Sequence, residues 1–270
     1  MSPLQYLGRR LAAFLARPRE RNSHIPTSPV AQFAATLRKG DVVLVEGSSR
    51  FASAIKYLTQ STWSHAALYI GDTLGPPVEG EEPRVLVDVD VVEGVRTIPL
   101  SAFSGLHTRI CRPVGLSEAE IDALVAFMLE RRGITYDLKN IFDLARYLVR
   151  TPPVPGSMKR QLLALGSGEP TKAICSTLLA QAFESIRYPI LPEVALVDVD
   201  SKGARRAARE ILFIRHHSLY APRDFDVSPF FRVVKPRIEA GFDHRELEWR
   251  VPDPPPAPGP GAPDGPAPAA

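Results

Sequence analysis

The side chains of this chain with reactive potential are two cysteines, six histidines and a run of carboxylates. Cys175 stands in TKAICSTLLAQAFESI, at the start of an amphipathic helical segment. Backbone N–H groups and the helix dipole at such a position favour the thiolate, the form of cysteine that attacks carbon. A buried structural cysteine is the competing reading, since free cysteine is among the most buried residue types. His65 stands in TWSHAALYIG, where a polar loop enters a strand. An imidazole there can face a cleft while the rest of the strand lies in the core. A cysteine–histidine pair needs a third group to orient the ring. VLVDVDVVEG supplies Asp88 and Asp90, which fall on one strand face. A neighbouring antiparallel strand would bring either carboxylate beside His65. The opposing reading is a solvated acidic face, given Glu79, Glu81, Glu82 and Glu93 nearby. His24, His107, His216, His217 and His244 lie in weaker contexts. Cys111, in TRICRPV, has no recognisable partner base and reads as structural.

Around these residues the pattern is mixed. Asp41 to Val45 is a short β-branched run after Arg38-Lys39-Gly40, and predicts a strand. Arg50 to Gln60 predicts a helix carrying Phe51, Ile55 and Leu58. Ala66 to Ile70 is a second strand, closed by Gly71-Asp72, and residues 73–83 form a hairpin loop. Arg84 to Val92 and Val95 to Ile98 are strands joined at Glu93-Gly94, and Arg109 to Arg112 is another. Ser117-Glu-Ala-Glu120 is a capping box opening a helix to about Arg132, which Gly133 stops. Further helices are predicted over Leu138 to Val149 and Ile174 to Ile186, and a late strand over Glu210 to Ile214. Strands come early and helices cluster in the middle, which argues for an α+β fold over a doubly wound sheet.

The two ends differ from this body. Residues 1–34 hold a basic amphipathic helix and a linker. Leu4, Leu7, Leu11, Phe14 and Leu15 recur at helical spacing, and Arg9, Arg10, Arg17 and Arg19 lie off that stripe. No acidic residue precedes Glu20. Such a helix over residues 3–17 can lie on an anionic membrane surface or pack on the protein's own core. It does not read as a cleavable signal peptide, since the arginine pair interrupts the apolar run and no small-residue cleavage site follows. Residues 35–249 form the folded domain. Residues 250–270 form a Pro/Ala-rich tail: from Pro252 on it contains only Pro, Ala, Gly and Asp, and cannot bury apolar surface. The 270 residues are 44% apolar and 23% charged, ordinary for a soluble globular protein. No stretch approaches the roughly 20 apolar residues of a spanning helix. Two cysteines exclude a disulfide scaffold and a four-cysteine zinc site. No metal-binding or phosphate-cradling motif is present, so no cofactor is expected. The net charge of +3 and the lack of a reader motif argue against nucleic acid.

GDVVLVEGSSRFASAIKYLTQSTWSHAALYIGD, then GVRTIPLSAF, RPVGLSEAEIDALVAFMLERRGITYD, ICSTLLAQAFESIRYPILP and PRDFDVSPFF together resemble the YiiX/YebB-like family. These are circularly permuted relatives of the NlpC-type papain-like cysteine hydrolases. The similarity runs over residues 39–236. It implies a permuted papain-like α+β fold, an antiparallel sheet packed against helices, with the histidine strand ahead of the cysteine helix. Carried over by motif, Cys175 is the nucleophile and His65 the general base. The third position falls in VLVDVD, where related sequences usually have Glu. Asp88 takes that place, with Asp90 as the alternative register. Tyr136, in Gly-Ile-Thr-Tyr-Asp, matches a tyrosine near the cysteine, whose hydroxyl would help stabilise an oxyanion; helix-entry packing is its structural alternative.

The resemblance therefore implies a cysteine-dependent hydrolase acting on an amide or ester of a peptide or lipid through a thioester. Two rivals stand beside it. One is a lipid acyltransferase, in which another acceptor replaces water. The other is a non-catalytic lipid- or peptide-binding module on the same fold. The expected setting is the cytoplasm, with peripheral membrane contact through residues 3–17.

Overall fold

A computed structural model of the chain describes residues 17, 28–90, 93–134, 174–199, 207–213, 217–246 and 248. The N-terminal segment 3–17 apart from Arg17, the expected Leu138 to Val149 helix, Tyr136 and the proline tail lie outside the described residues.

Helix α1 (Val30–Thr36) leads into strand β1 (Val42–Glu46), helix α2 (Arg50–Thr59) and strand β2 (His65–Tyr69). Strands β3 (Arg84–Asp90), β4 (Gly94–Pro99) and β5 (His107–Pro113) follow, with a 3-10 turn over Leu100–Phe103 between the last two. Helices α3 (Glu118–Leu129) and α4 (Ile174–Ser185) come next. Strands β6 (Glu193–Val199) and β7 (Ala207–Phe213), helix α5 (Pro222–Asp226), strand β8 (Phe231–Val234) and helix α6 (Pro236–Glu239) complete the principal described elements.

The main sheet has the order β4-β3-β2-β1-β5-β8, and every neighbouring pair is antiparallel. Strand β1 lies inside it, and Val42 to Val45 are all buried. A strand buried on both faces reads as a continuous apolar run, as DVVLV does. Alternation then separates two cores. Val42, Leu44, Ala66, Leu68 and Val87 pack with Leu124, Val125 and Met128 of α3 and Leu178, Leu179 and Phe183 of α4. Val43, Val45, Ala67, Leu86 and Ile110 pack with Phe33 and Leu37 at α1 and with Leu100 and Phe103. Hydrophobic burial on both faces makes this sheet a firm platform.

Within the described residues the expected elements are present with small shifts. The Ser117–Glu120 capping box forms in full. Helix α3 ends at Leu129, short of the expected Arg132, and residues 130–133 continue as a turn closed at Gly133 with φ of +81°. That turn is tied to the sheet: Gly133 N–H donates to the Val95 carbonyl and Val95 N–H to that of Ile134. The late strand spans Ala207–Phe213 within the described residues and begins ahead of the expected Glu210. Elements beyond the sequence reading are α1, β6, β8 and the short α5 and α6. Strand β6 forms a hairpin with β7, Glu193 opposite Phe213 and Val199 opposite Ala207. Strand β8 pairs with β5, Ile110 opposite Val234. An ion pair that sequence reading passed over ties the residue before β1 to β5: Arg112 donates to both oxygens of the buried Asp41 at 2.8 and 2.7 Å.

Candidate active site

Strand β2 begins at His65, paired with Val45 of β1. The loop before it is fixed in place. Ser64 is buried; its N–H donates to the Val45 carbonyl at 3.1 Å and its Oγ accepts from Gly47 N–H at 2.9 Å. A Cβ on Gly47 would come within 2.9 Å of Ala52 Cβ and 3.0 Å of Ser64 Oγ, so only glycine allows this approach. Trp63 is buried and its indole N–H donates to Asp226 at 2.9 Å. His65 thus enters the sheet from a fixed corner, and its side chain keeps 26% of its surface exposed.

Asp88 lies on β3, the strand next to β2, on the same sheet face as His65. Its side chain is only 3% exposed. Oδ1 of Asp88 contacts Nε2 of His65. Oδ2 accepts from Arg96, 3.1 Å from Nε and 3.1 Å from Nη2. Asp90, the alternative for the third position, lies 3.3 Å from Arg96 Nη2 and is not the carboxylate on the ring.

Cys175 is the second residue of α4 and is 4% exposed. The helix is anchored by buried Leu178, Leu179, Ala180, Ala182 and Phe183 and by Ser176 Oγ, which donates to the Tyr220 carbonyl at 2.8 Å. The Cys175 side chain stands beside the His65 ring, near enough to favour its charged form. With Nε2 turned to Asp88, Nδ1 is left for the sulfur. The edge of Phe103 lies against the His65 ring, with centroids 6.2 Å apart. The structure therefore brings Cys175, His65 and Asp88 together. Tyr136 lies outside the described residues.

Electrostatics follow from this packing. Burial works against a charged His65 ring, but the charges of Asp88 and Cys175 and the hydrogen bond to Asp88 outweigh it. The ring is held well above its ordinary range. Burial would push Asp88 up, but the His65 charge and hydrogen bond, and then Arg96, bring it down to about 2. Asp88 is therefore a carboxylate at neutral pH, and His65 favours the imidazolium. This is the polarity that a thiolate nucleophile beside an imidazole requires. Among the described residues no group of three His, Cys, Asp or Glu side chains is arranged to hold a metal ion.

Cys111 sits in β5, opposite Val42 and Val233, fully buried and free. Burial pushes its thiol far above the usual range, and the Asp226 charge adds to this. Sequence reading missed Arg96. The signal was in the hairpin: a turn at Glu93-Gly94 counts back to Val89 opposite Val95 and Asp88 opposite Arg96, the register seen. Phe103 and Trp63 carried no comparable signal, because their contacts depend on folding of distant segments.

Residues 36–147 match the family described as permuted papain-like amidase enzymes, YaeF/YiiX, C92 family. A solved structure, that of the metalloprotein yiiX from Escherichia coli O157:H7, is similar at 14% sequence identity and a TM-score of 0.40. The similarity covers 73% of this chain and 96% of that one. No curated protein matches the chain.

Proposed function

From the match of residues 36–147 to the permuted papain-like amidase family, we propose that Cys175, His65 and Asp88 hydrolyse an amide or ester bond. The observation that carries the reading is the His65 ring, engaged by Asp88 at Nε2 and by the Cys175 side chain. Neither neighbour alone would suffice. A thiol without a base is a weak nucleophile at neutral pH, and an imidazole without an orienting group turns away.

The steps follow from the positions. His65 takes the Cys175 proton, and the sulfur attacks the acyl carbon while the carbonyl π pair moves to oxygen. The first N–H groups of a helix have no acceptor within the helix, so those around Cys175 suit the oxyanion. Tyr136 would add a hydroxyl donor there. The tetrahedral species then expels the amine or alcohol, which leaves with the proton held on His65. A thioester remains on Cys175. Water enters, gives a proton to His65 and adds its oxygen to the thioester carbon. Collapse expels the thiolate and releases the acid. Asp88 stays ionised throughout and stabilises the imidazolium each time it forms. The substrate class is a peptide or lipid acyl group. If another nucleophile enters in place of water, the same intermediate serves acyl transfer.

The test is covalent trapping. The full chain is treated with p-nitrophenyl acetate and the acetyl group is located by peptide mass spectrometry. Acetyl on Cys175, lost in His65→Ala, is expected. Acetyl on Cys175 at an unchanged rate without His65, or no acetyl there at all, sinks the reading.

A further inference from the structure

In the β3–β4 hairpin Asp88 stands directly across from Arg96, and Asp90 across from Gly94. The guanidinium has three acidic neighbours. Its Nε and Nη2 meet Asp88 Oδ2 at 3.1 Å each, Nη2 meets Asp90 Oδ2 at 3.3 Å, and Nη1 donates to Glu93 Oε2 at 2.9 Å. The Arg96 side chain is about one-third exposed, whereas Asp88 beneath it is almost wholly covered. Asp88 is thus gripped from both sides, with His65 on one oxygen and Arg96 on the other.

We propose that Arg96 is a positioning residue that acts through Asp88: it fixes the plane of the carboxylate so that Oδ1 stays on His65 Nε2 while the ring turns its other nitrogen to Cys175. This rests on the Cys175–His65–Asp88 reading above. The physical reason is rotational. A carboxylate held at one oxygen can turn about its Cβ–Cγ bond, and the terminal torsion of Asp is broad. Two donors on the second oxygen close that freedom, and a planar guanidinium is suited to do so. Asp90 and Glu93 hold the guanidinium in turn, and their charges offset the repulsion that a bare cation behind Asp88 would exert on the imidazolium. The groups facing Asp88 are then His65 from β2, Cys175 beyond it on α4, Arg96 from β4 and, through Arg96, Asp90 and Glu93.

A role confined to holding the hairpin together makes a different forecast, so a double-mutant cycle decides. The readout is acetylation of the full chain by p-nitrophenyl acetate, with the rate at saturation separated from apparent affinity. Arg96→Gln should lower the saturating rate by roughly 10- to 100-fold, the scale of a small misplacement of a reacting group. Apparent affinity should barely change, because Arg96 lies behind Asp88. Arg96→Lys, which keeps the charge but loses the fork, should fall between. In an Asp88→Asn background, Arg96→Gln should cause little further loss, since its route of action is gone. An equal loss in both backgrounds, or none in the wild type, overturns the proposal. If circular dichroism shows Arg96→Gln unfolded, the same cycle run with Arg96→Lys gives the answer. Asp88→Asn as fast as wild type would remove the parent reading and this one together. A slow Asp88→Asn beside a fast Arg96→Gln would remove this one alone.

Discussion

The chain places its two cysteines in opposite circumstances, although both are buried. Cys111 is 0% exposed and Cys175 is 4% exposed. Cys111 lies inside β5, flanked across the sheet by valines on both sides. Desolvation there disfavours the thiolate, and the Asp226 charge disfavours it further. Cys175 lies at the start of α4 with the His65 ring beside it, and that ring has Asp88 behind it. Burial by itself therefore decides nothing about reactivity. An adjacent base, itself held by a buried carboxylate, separates a nucleophile from a packing residue.

The comparison breaks most sharply by deletion of each sulfur. Cys175→Ala should abolish acetylation and turnover, while Cys111→Ala should stay within about twofold of wild type, as expected for a residue remote from the chemistry. Acetylation rates of the two purified variants check it. Residual turnover in Cys175→Ala that Cys111→Ala removes would reverse the assignment.

The next largest effect comes from the carboxylate. Asp88→Asn should lower turnover by about 10²–10⁴-fold, the range seen when the orienting group behind a histidine is neutralised. The fold should persist, since the amide keeps the shape and its oxygen can still accept from Arg96. Asp90→Asn should do much less, because Asp90 meets Arg96 and not the ring. Turnover lost in Asp90→Asn and kept in Asp88→Asn would return the third role to the other register.

Much of this arrangement was legible in the sequence. Period-2 alternation in VLVDVD put both carboxylates on one face, and the Glu93-Gly94 turn fixed the hairpin. Choice between Asp88 and Asp90 needed the stagger between β2 and β3, which the intervening loop of some dozen residues conceals. Contact of His65 with Cys175 joins positions 110 apart in the chain. It was reached through the family resemblance, because spacing says nothing about tertiary approach. The missed strand β8 is only four residues long and its Arg232 is exposed, so it offered little pattern. Helix α1 buries a single residue, Phe33, within its span, too little for a periodic signal.

Protonation gives a third, smaller contrast. The His65 ring is raised well above 6.5, so its contribution to stability is fully present below that value and fades as pH rises through the folded-state value. Nuclear magnetic resonance of the imidazole protons should show His65 still charged near pH 7. In Asp88→Asn the titration should move down, because burial then acts against the charge with less opposition. Asp88 has the opposite sign: its carboxyl is lowered to about 2, so its stabilisation is present above about pH 4 and lost as pH falls through 2. That contribution is about 2 kcal/mol. A wild-type His65 that titrates at or below 6.5 would contradict the packing described for the pair.

The smallest effect concerns Cys111, and it is one of stability alone. Replacing its sulfur by a hydroxyl leaves volume nearly unchanged but puts a stronger hydrogen-bonding group into an apolar layer formed with Val42, Leu44 and Leu124. A buried hydroxyl that finds no partner costs about 1–3 kcal/mol. For a domain of this size each kcal/mol lowers Tm by about 2–4 °C. Cys111→Ser should therefore melt several degrees below wild type, and Cys111→Ala less far below it, since alanine leaves a small gap but no unpaired polar atom. Both should acetylate at Cys175 at the wild-type rate while folded. Thermal melts followed by circular dichroism, run beside the acetylation assay, separate the two quantities. A folded Cys111→Ser that has lost acetylation would mean that the β5 cysteine communicates with the site, and the contrast between the two sulfurs would fail.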